Sequence, residues 1–287
     1  MCIQLLLREH RDDIIDYAQE SKVIPPNLKD AVAYNNRGLA YAAQGEYDRA
    51  IADYNQAIKL NPRDAVAYNN RGLAYAAQRQ YDMATVNYNN AIELDPQNAF
   101  TYYNRGTIYA GMGQYGMAIT DYNKAIELDP KFTEAYTNRG SAYADIGQYS
   151  NAIADYNKAI ELDPKLVGAY NNRGTTYADI GQYDLAIADY NKAIELDPKL
   201  VGAYKNRGYV YNQKGLYDIG IADLNKAIEL DPKYALAYQN RGAAYYLKGL
   251  YDRAIADFKM AISISGDPNL VNNAKSSIEE INRILDR

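Results

Sequence analysis

Ala50-Ile51-Ala52-Asp53-Tyr54-Asn55 returns as Ala152-Ile153-Ala154-Asp155-Tyr156-Asn157 and again as Ala186-Ile187-Ala188-Asp189-Tyr190-Asn191. These copies fall on a 34-residue step, and sliding the whole chain by 34 residues matches it to itself. A period of that length marks a stack of similar supersecondary pieces. Seven repeats follow, at 31–64, 65–98, 99–132, 133–166, 167–200, 201–234 and 235–268. The two domains that 287 residues would suggest therefore give way to the expectation of one array.

The period explains the composition. The chain has 31 Tyr, three Phe and no Trp, and tyrosines at repeat positions 4, 11, 17 and 24 account for 26 of the 31. Leu224 and Phe258 fill the two exceptions. Tyrosine at helical spacing with no accompanying basic face reads as core, not as a stacking platform for bases.

Several functional classes fall away. Cys2 is the single cysteine and His10 the single histidine. They provide no disulfide framework, zinc cluster or histidine-centred triad, so no metal, cofactor or catalytic residue is expected. A net charge of −5 and a pI of about 5.1 have the wrong sign for a nucleic-acid footprint. Leu5-Leu6-Leu7 is followed by Arg8, Glu9 and Arg11, which leaves neither a signal core nor a membrane span. The expectation is a soluble, cytoplasmic protein.

Each repeat carries two helical patterns. In repeat 4, Tyr136, Gly140 and Tyr143 share one face of a first helix, which Gly147 ends. Ser150 is then expected to cap a second helix, and Asp48, Asp82, Asp184, Asp218 and Asp252 fill the same slot elsewhere. Ala152, Tyr156 and Ala159 form the second helix's apolar stripe, and Asp163-Pro164 stops it.

This pattern resembles the tetratricopeptide repeat family: an aromatic at position 4, Gly at 8, Tyr at 11, Ala at 20, an aromatic at 24, Ala at 27 and Pro at 32. Repeat 1 supplies Tyr34, Gly38, Tyr41, Ala50, Tyr54, Ala57 and Pro62; repeat 5 supplies Tyr170, Gly174, Tyr177, Ala186, Tyr190, Ala193 and Pro198. In repeat 6, Gly220 replaces Ala and Leu224 replaces the aromatic, and repeat 7 delays its proline to Pro268. The resemblance implies an all-α fold: a right-handed α-solenoid, or superhelix, of stacked helix-turn-helix repeats whose first helices line a concave groove. Ala274, Ile278, Ile281 and Leu285 make a one-sided stripe over 269–287, expected to be a C-terminal capping helix. Residues 1–30 are expected to supply an N-terminal capping helix and a proline-containing linker.

With positions 4, 8 and 11 facing the partner helix, positions 2, 6, 9 and 13 lie on the opposite side of the first helix and should face the groove. Position 6 is asparagine in every repeat: Asn36, Asn70, Asn104, Asn138, Asn172, Asn206 and Asn240. An amide can pair with both N–H and C=O of an extended peptide, and a similar ladder holds peptide backbone in the repeat region of O-linked N-acetylglucosamine transferase. A family-background residue copied by duplication is the competing reading, and both stay open here. Phe100, Tyr103, Lys205 and Tyr209 are the further groove candidates. Apolar groove residues with acidic ones between them suit a peptide with apolar anchors and one or two basic residues. Arg at position 7 in every repeat, matched by Asp at position 23 in all but repeat 2, reads as a structural pair rather than a phosphate site.

The leading functional expectation is a non-catalytic interaction scaffold or adaptor that binds an extended peptide or a helix of a partner protein. The alternative is the recognition or regulatory part of an enzyme such as a glycosyltransferase. A chaperone-associated role fits less well. The family's clamp for acidic chaperone tails needs Lys at 5 with Asn at 9, and here Lys205 is followed by Tyr209. Near-identical repeats leave end-to-end self-association open.

Overall fold

The computed structural model describes residues 30–286. The expected N-terminal cap and linker, with Cys2 and His10, lies outside these residues apart from Asp30. The described residues hold fifteen helices and no strand. The chain divides after Gln148 into two compact units. The first holds α1 (Ala31–Ala43), α2 (Tyr47–Leu60), α3 (Ala65–Ala77), α4 (Tyr81–Leu94), α5 (Ala99–Gly111), α6 (Tyr115–Leu128) and α7 (Thr133–Asp145). The second holds α8 (Tyr149–Leu162), α9 (Val167–Asp179), α10 (Tyr183–Leu196), α11 (Val201–Gln213), α12 (Tyr217–Leu230), α13 (Ala235–Leu247), α14 (Tyr251–Ile264) and α15 (Pro268–Leu285). Odd-numbered helices up to α13 are the first helices of their repeats, and even-numbered ones the second.

The turn inside each repeat needs one left-handed residue. Glycine supplies it at Gly45, Gly113, Gly147, Gly181, Gly215 and Gly249, with φ between 73° and 78°; only repeat 2 uses a side chain, Arg79 at φ 61°. The second helices then begin at the position-17 tyrosine, two residues before the point the sequence suggests. Position 16 makes no side-chain cap bond in α2, α4, α6, α10, α12 or α14. The Asp or Ser at position 18 is therefore no cap: it sits in the first turn, where a carboxylate still faces the positive helix end. Asp48 accepts from Gln78 of the next repeat at 2.8 Å, and Asp184 and Asp218 pair in the same way with Lys214 and Lys248.

Small-against-large packing closes each hairpin. Tyr54, Tyr88, Tyr122, Tyr156 and Tyr190 are the largest fully buried side chains. A Cβ added to Gly38, Gly72, Gly106 or Gly174 would lie 2.6–2.9 Å from the Cε1 of Tyr54, Tyr88, Tyr122 or Tyr190. Glycine at position 8 is thus required by the ring across the hairpin. Alanines at positions 20 and 27 complete that interface, and Ala67, Ala135, Ala169, Ala203 and Ala237 at position 3 are fully buried. At the end of the second unit Asp267 caps α15 by accepting from the Asn269 N–H, with Pro268 in the first turn. α15 buries Leu270, Ala274 and Ile281, the last two in a cluster with Ala254 and Phe258.

Candidate functional site

The arginines at position 7 are committed to the fold. Arg37, Arg105, Arg173, Arg207 and Arg241 each fork onto the position-23 aspartate of their own repeat. Nε donates to Oδ2 at 2.7–2.8 Å, and the second guanidinium nitrogen donates to Oδ1 at 2.6–2.7 Å. The hydrogen bond to aspartate raises the pKa of each of these arginines. The guanidinium also lies 5.3–5.8 Å from the position-4 tyrosine ring, as at Arg37 over Tyr34 and Arg105 over Tyr102. A third arm reaches position 25 of the preceding repeat: Arg71 to Asn55 at 2.6 Å, Arg105 to Asn89 at 2.7 Å, Arg207 to Asn191 at 2.5 Å and Arg241 to Asn225 at 2.6 Å. Arg105, Arg207 and Arg241 therefore each tie three helices together. Repeat 2 is the exception, since Arg71 meets Asn87 and burial lowers its pKa.

The first-helix face carries the remaining candidates. In the first unit Val32, Val66 and Phe100, all at position 2, are each about half exposed or more. The Phe100 ring stands 4.9 Å from Phe132. Tyr103 belongs to the core instead of the groove: it is 6% exposed and packs on Tyr122 and Phe132. A ring at position 5 reaches Phe132, the last residue of its own repeat, and is covered by it.

The asparagine ladder has an internal use that helix geometry alone does not show. Asn70 Nδ2 donates to Asn35 Oδ1 at 3.1 Å, Asn104 to Asn69 Oδ1 at 3.2 Å and Asn138 to the Tyr103 hydroxyl at 2.9 Å. Each bond runs from position 6 of one repeat to position 5 of the repeat before, holding consecutive first helices in register. Asn70 and Asn104 are buried, at 7% and 3% exposure, so their amides face neighbours rather than a groove. Asn36, Asn138, Asn172, Asn206 and Asn240 are half-buried. In the second unit Asn206 donates to Asn171 Oδ1 at 3.4 Å and Thr175 Oγ1 at 3.3 Å, and Asn172 Oδ1 accepts from Asn171.

The rung between Lys205 and Asn240 is different. Lysine is donor-only and cannot accept from the asparagine amide. Lys205 is half-buried and makes no hydrogen bond or ion pair among the described residues, and burial lowers its pKa. Tyr209, one turn further along α11, is 44% exposed. Of the acidic candidates, Asp179 is exposed, yet partial desolvation raises its pKa. Thr137, Ser141 and Thr175 turn their hydroxyls back to carbonyls four residues earlier and offer little to a ligand.

Among the described residues no group of three or more His, Cys, Asp or Glu could hold a metal ion. No helix there is long and apolar enough to cross a membrane.

Family models described as tetratricopeptide repeat match residues 65–98, 99–132, 167–200 and 235–268, and a further one matches 121–154. One described as TPR repeat matches 38–79, 140–181 and 208–249. No curated protein matches the chain significantly. A tetratricopeptide repeat protein from Parabacteroides merdae superposes with a TM-score of 0.70 at 23% identity, over 88% of this chain and 98% of that one. YrrB, described as a TPR protein with an unusual peptide-binding site, is 29% identical with a TM-score of 0.53, over 63% of this chain and 94% of its own. MamA is 34% identical with a TM-score of 0.50, over 55% of this chain and 92% of its own.

Proposed function

We propose, from the premise that the chain belongs to the tetratricopeptide repeat family, that it is a non-catalytic scaffold whose first-helix faces hold a peptide segment of a partner protein. One observation carries the reading. The side chains that the repeat needs for folding, at positions 4, 7, 8, 11, 20, 23, 24 and 27, are satisfied within the chain. Position 2 of the first three repeats instead presents Val32, Val66 and Phe100 to solvent. Exposed apolar side chains at matching positions of successive repeats suit a chain laid across the helices. The peptide-binding site described for YrrB supports the same reading by similarity. Asn36 and Asn138 in the first unit and Asn172, Asn206 and Asn240 in the second are the ladder members with exposed surface, so they, with Phe100 in the first unit and Lys205 and Tyr209 in the second, are the residues proposed to meet the partner.

The test passes a synthetic library of nine-residue peptides over the immobilised full chain and two variants. Val32→Ser/Val66→Ser changes two side chains that are more than half exposed and should keep the melting temperature while losing at least ~10-fold of peptide retention. Asn240→Ala removes an amide whose side chain makes no hydrogen bond among the described residues, so any loss of retention reports contact with the peptide backbone. Retention unchanged in both variants would move binding off this face. No retention by the wild type would sink the peptide reading itself.

A further inference from the structure

Two repeats depart furthest from the common pattern. In repeat 6 the change is internal. Asn212 Oδ1 fills the space that a Cβ on Gly220 would take, and Asn212 Nδ2 donates to the main-chain carbonyl of Asn240 at 3.2 Å. In repeat 2 the changes collect on the solvent face of α4.

Met83, Val86, Asn90 and Glu93 follow one another at steps of three, four and three residues and so share one face of α4, with Asp82 beside the first of them. Position 22 is alanine in five repeats and Thr120 in repeat 3; only here is it the larger Val86. Met83 is 45% and Val86 53% exposed, so neither belongs to the core. The next two repeats extend the apolar ground. Position 14 of one repeat reaches back to position 18 of the one before, as Gln78 does to Asp48, Lys214 to Asp184 and Lys248 to Asp218. Repeats 3 and 4 lack that polar latch, because Met112 stands at the position matched with Asp82 and Ile146 at the one matched with Gly116. Met112, Met117 and Ile146 are all exposed, and a Cβ on Gly116 would meet nothing within 4 Å. An apolar strip thus runs within the first unit over α4, the start of α6 and the residue after α7. Its methionines are unbranched and polarisable, which suits them to packing against a separate partner.

The strip is bordered by carboxylates that the fold leaves unneutralised. In repeats 3 to 6 the position-29 glutamate pairs with the lysine three residues before it, as Lys124 with Glu127 and Lys192 with Glu195. In α4 that lysine is Asn90 and the latch is Met112. Among the described residues, neither the Asp82 nor the Glu93 side chain makes an ion pair or hydrogen bond. Arg79, three residues before Asp82, makes no ion pair with it, and Lys124 is held by Glu127. Eleven residues of helix separate the two carboxylates, about 16 Å. A partner helix covers that length in about three turns and can put two cations and the apolar residues between them on one face. An extended chain covers it in about five residues and turns every second side chain away. An apolar strip with an anion towards each end therefore complements an amphipathic helix with a cation towards each end.

We infer that the solvent face of α4, with Met112, Met117 and Ile146, is a second docking surface, for a basic amphipathic helix of a partner protein. It uses none of the residues proposed for the first-helix face, so the two readings stand or fall separately.

The probe is a fluorescein-labelled 18-residue helical peptide with a leucine stripe bordered by two lysines eleven residues apart; a twin carries glutamate in place of both lysines. Fluorescence anisotropy with the full chain at about 0.1 M salt reads binding. Wild type should bind the lysine peptide at least about tenfold more tightly than its twin. Val86→Ser/Met117→Ser changes only exposed side chains, should keep the melting temperature, and should weaken binding at least about tenfold. Asp82→Asn/Glu93→Gln keeps both shapes and should bring the lysine preference below about twofold. Val32→Ser/Val66→Ser should bind as the wild type does. No binding by the wild type, equal binding of the twins, or a preference that survives Asp82→Asn/Glu93→Gln overturns the inference. Loss of binding in Val32→Ser/Val66→Ser also overturns it and places the helix on the first-helix face. A wild type that sediments as a dimer, with Val86→Ser/Met117→Ser a monomer, overturns it in favour of a second copy of this chain.

Discussion

Asn87→Asp is the sharpest test of how the array is held together. In five described repeats the position-7 guanidinium forks onto a carboxylate; at Arg71 it meets an amide, through one bond from Nε to Asn87 Oδ1 at 2.7 Å. Asn87 spends its Nδ2 on the Met83 carbonyl at 2.7 Å. Aspartate has the same shape, and turned as Asp53 and Asp121 are, it would accept from both Nε and the second nitrogen. Hydrogen bonds to a charged partner contribute about 1.5–3 kcal/mol against about 1 for neutral ones. The present bond already has a charged donor, so two in its place add about one further bond of that kind, roughly 1.5–3 kcal/mol before losses. The bond to Met83 is lost, at about 1 kcal/mol, and solvent screening trims a part-buried pair further. The net expectation is about 1–2 kcal/mol.

A gain of that size raises the melting temperature by about 2–5 °C in a chain of this length. Scanning calorimetry of the full chain reads it, and hydrogen exchange of the α3 and α4 amides places it, since a repeat array opens locally before it melts as a whole. The reverse change, Asp121→Asn, should lower the melting temperature by a similar amount and loosen α5 and α6. About 1 M salt should shrink both effects without abolishing them. An Asn87→Asp protein that melts at or below the wild type would refute the reasoning. The forks at the other repeats could then not be counted as stabilising.

Three further outcomes follow from the geometry. Arg79→Gly relieves a left-handed side-chain residue, worth roughly 1 kcal/mol, partly offset by glycine's freedom in the unfolded chain, so melting should rise about 1–2 °C. Gly220→Ala should destabilise by about 1–3 kcal/mol, whereas Asn212→Ala/Gly220→Ala should recover most of that loss; equal losses in the single and double variants would show the two positions to be uncoupled. Lys205→Asn should stabilise at neutral pH, because the folded pKa of the lysine is lowered by burial. The penalty on the ammonium is full below that folded value and fades as pH rises through it toward the unfolded ~10.4, so the gain should shrink with rising pH in paired thermal melts.

The helical hairpin was legible because glycine and proline punctuate a 34-residue period, and the arginine–aspartate pairing because the two positions repeat together. The second-helix start was misplaced by two residues because Asp48 and its equivalents look like caps. The left-handed turn at Gly45 and its counterparts instead lets Tyr47 open the helix. Asparagine at position 25 is present in the first six repeats, but its role as the arginine's third partner depends on the stacking of neighbours. The ladder misled for the same reason. A single helix wheel places Asn70 and Asn104 outward, while the preceding helix stands close enough to take their amides and bury them.

This division of labour explains why the departures in repeat 6 carry more weight than their number. A substitution at an exposed position such as Phe100 is close to neutral for folding and can drift. Gly220, Leu224 and Asn212 occupy positions where the other repeats pack alanine and tyrosine without strain, so each taken alone lowers stability. Two of them make physical sense only as a pair: the glycine seats the asparagine, and the asparagine holds Asn240. A repeat that gives up packing at two facing positions, on α11 and α12, is better read as one coupled change than as two independent drifts. The Asn212→Ala/Gly220→Ala variant separates the two readings, since under coupling it should regain the stability that Gly220→Ala alone loses.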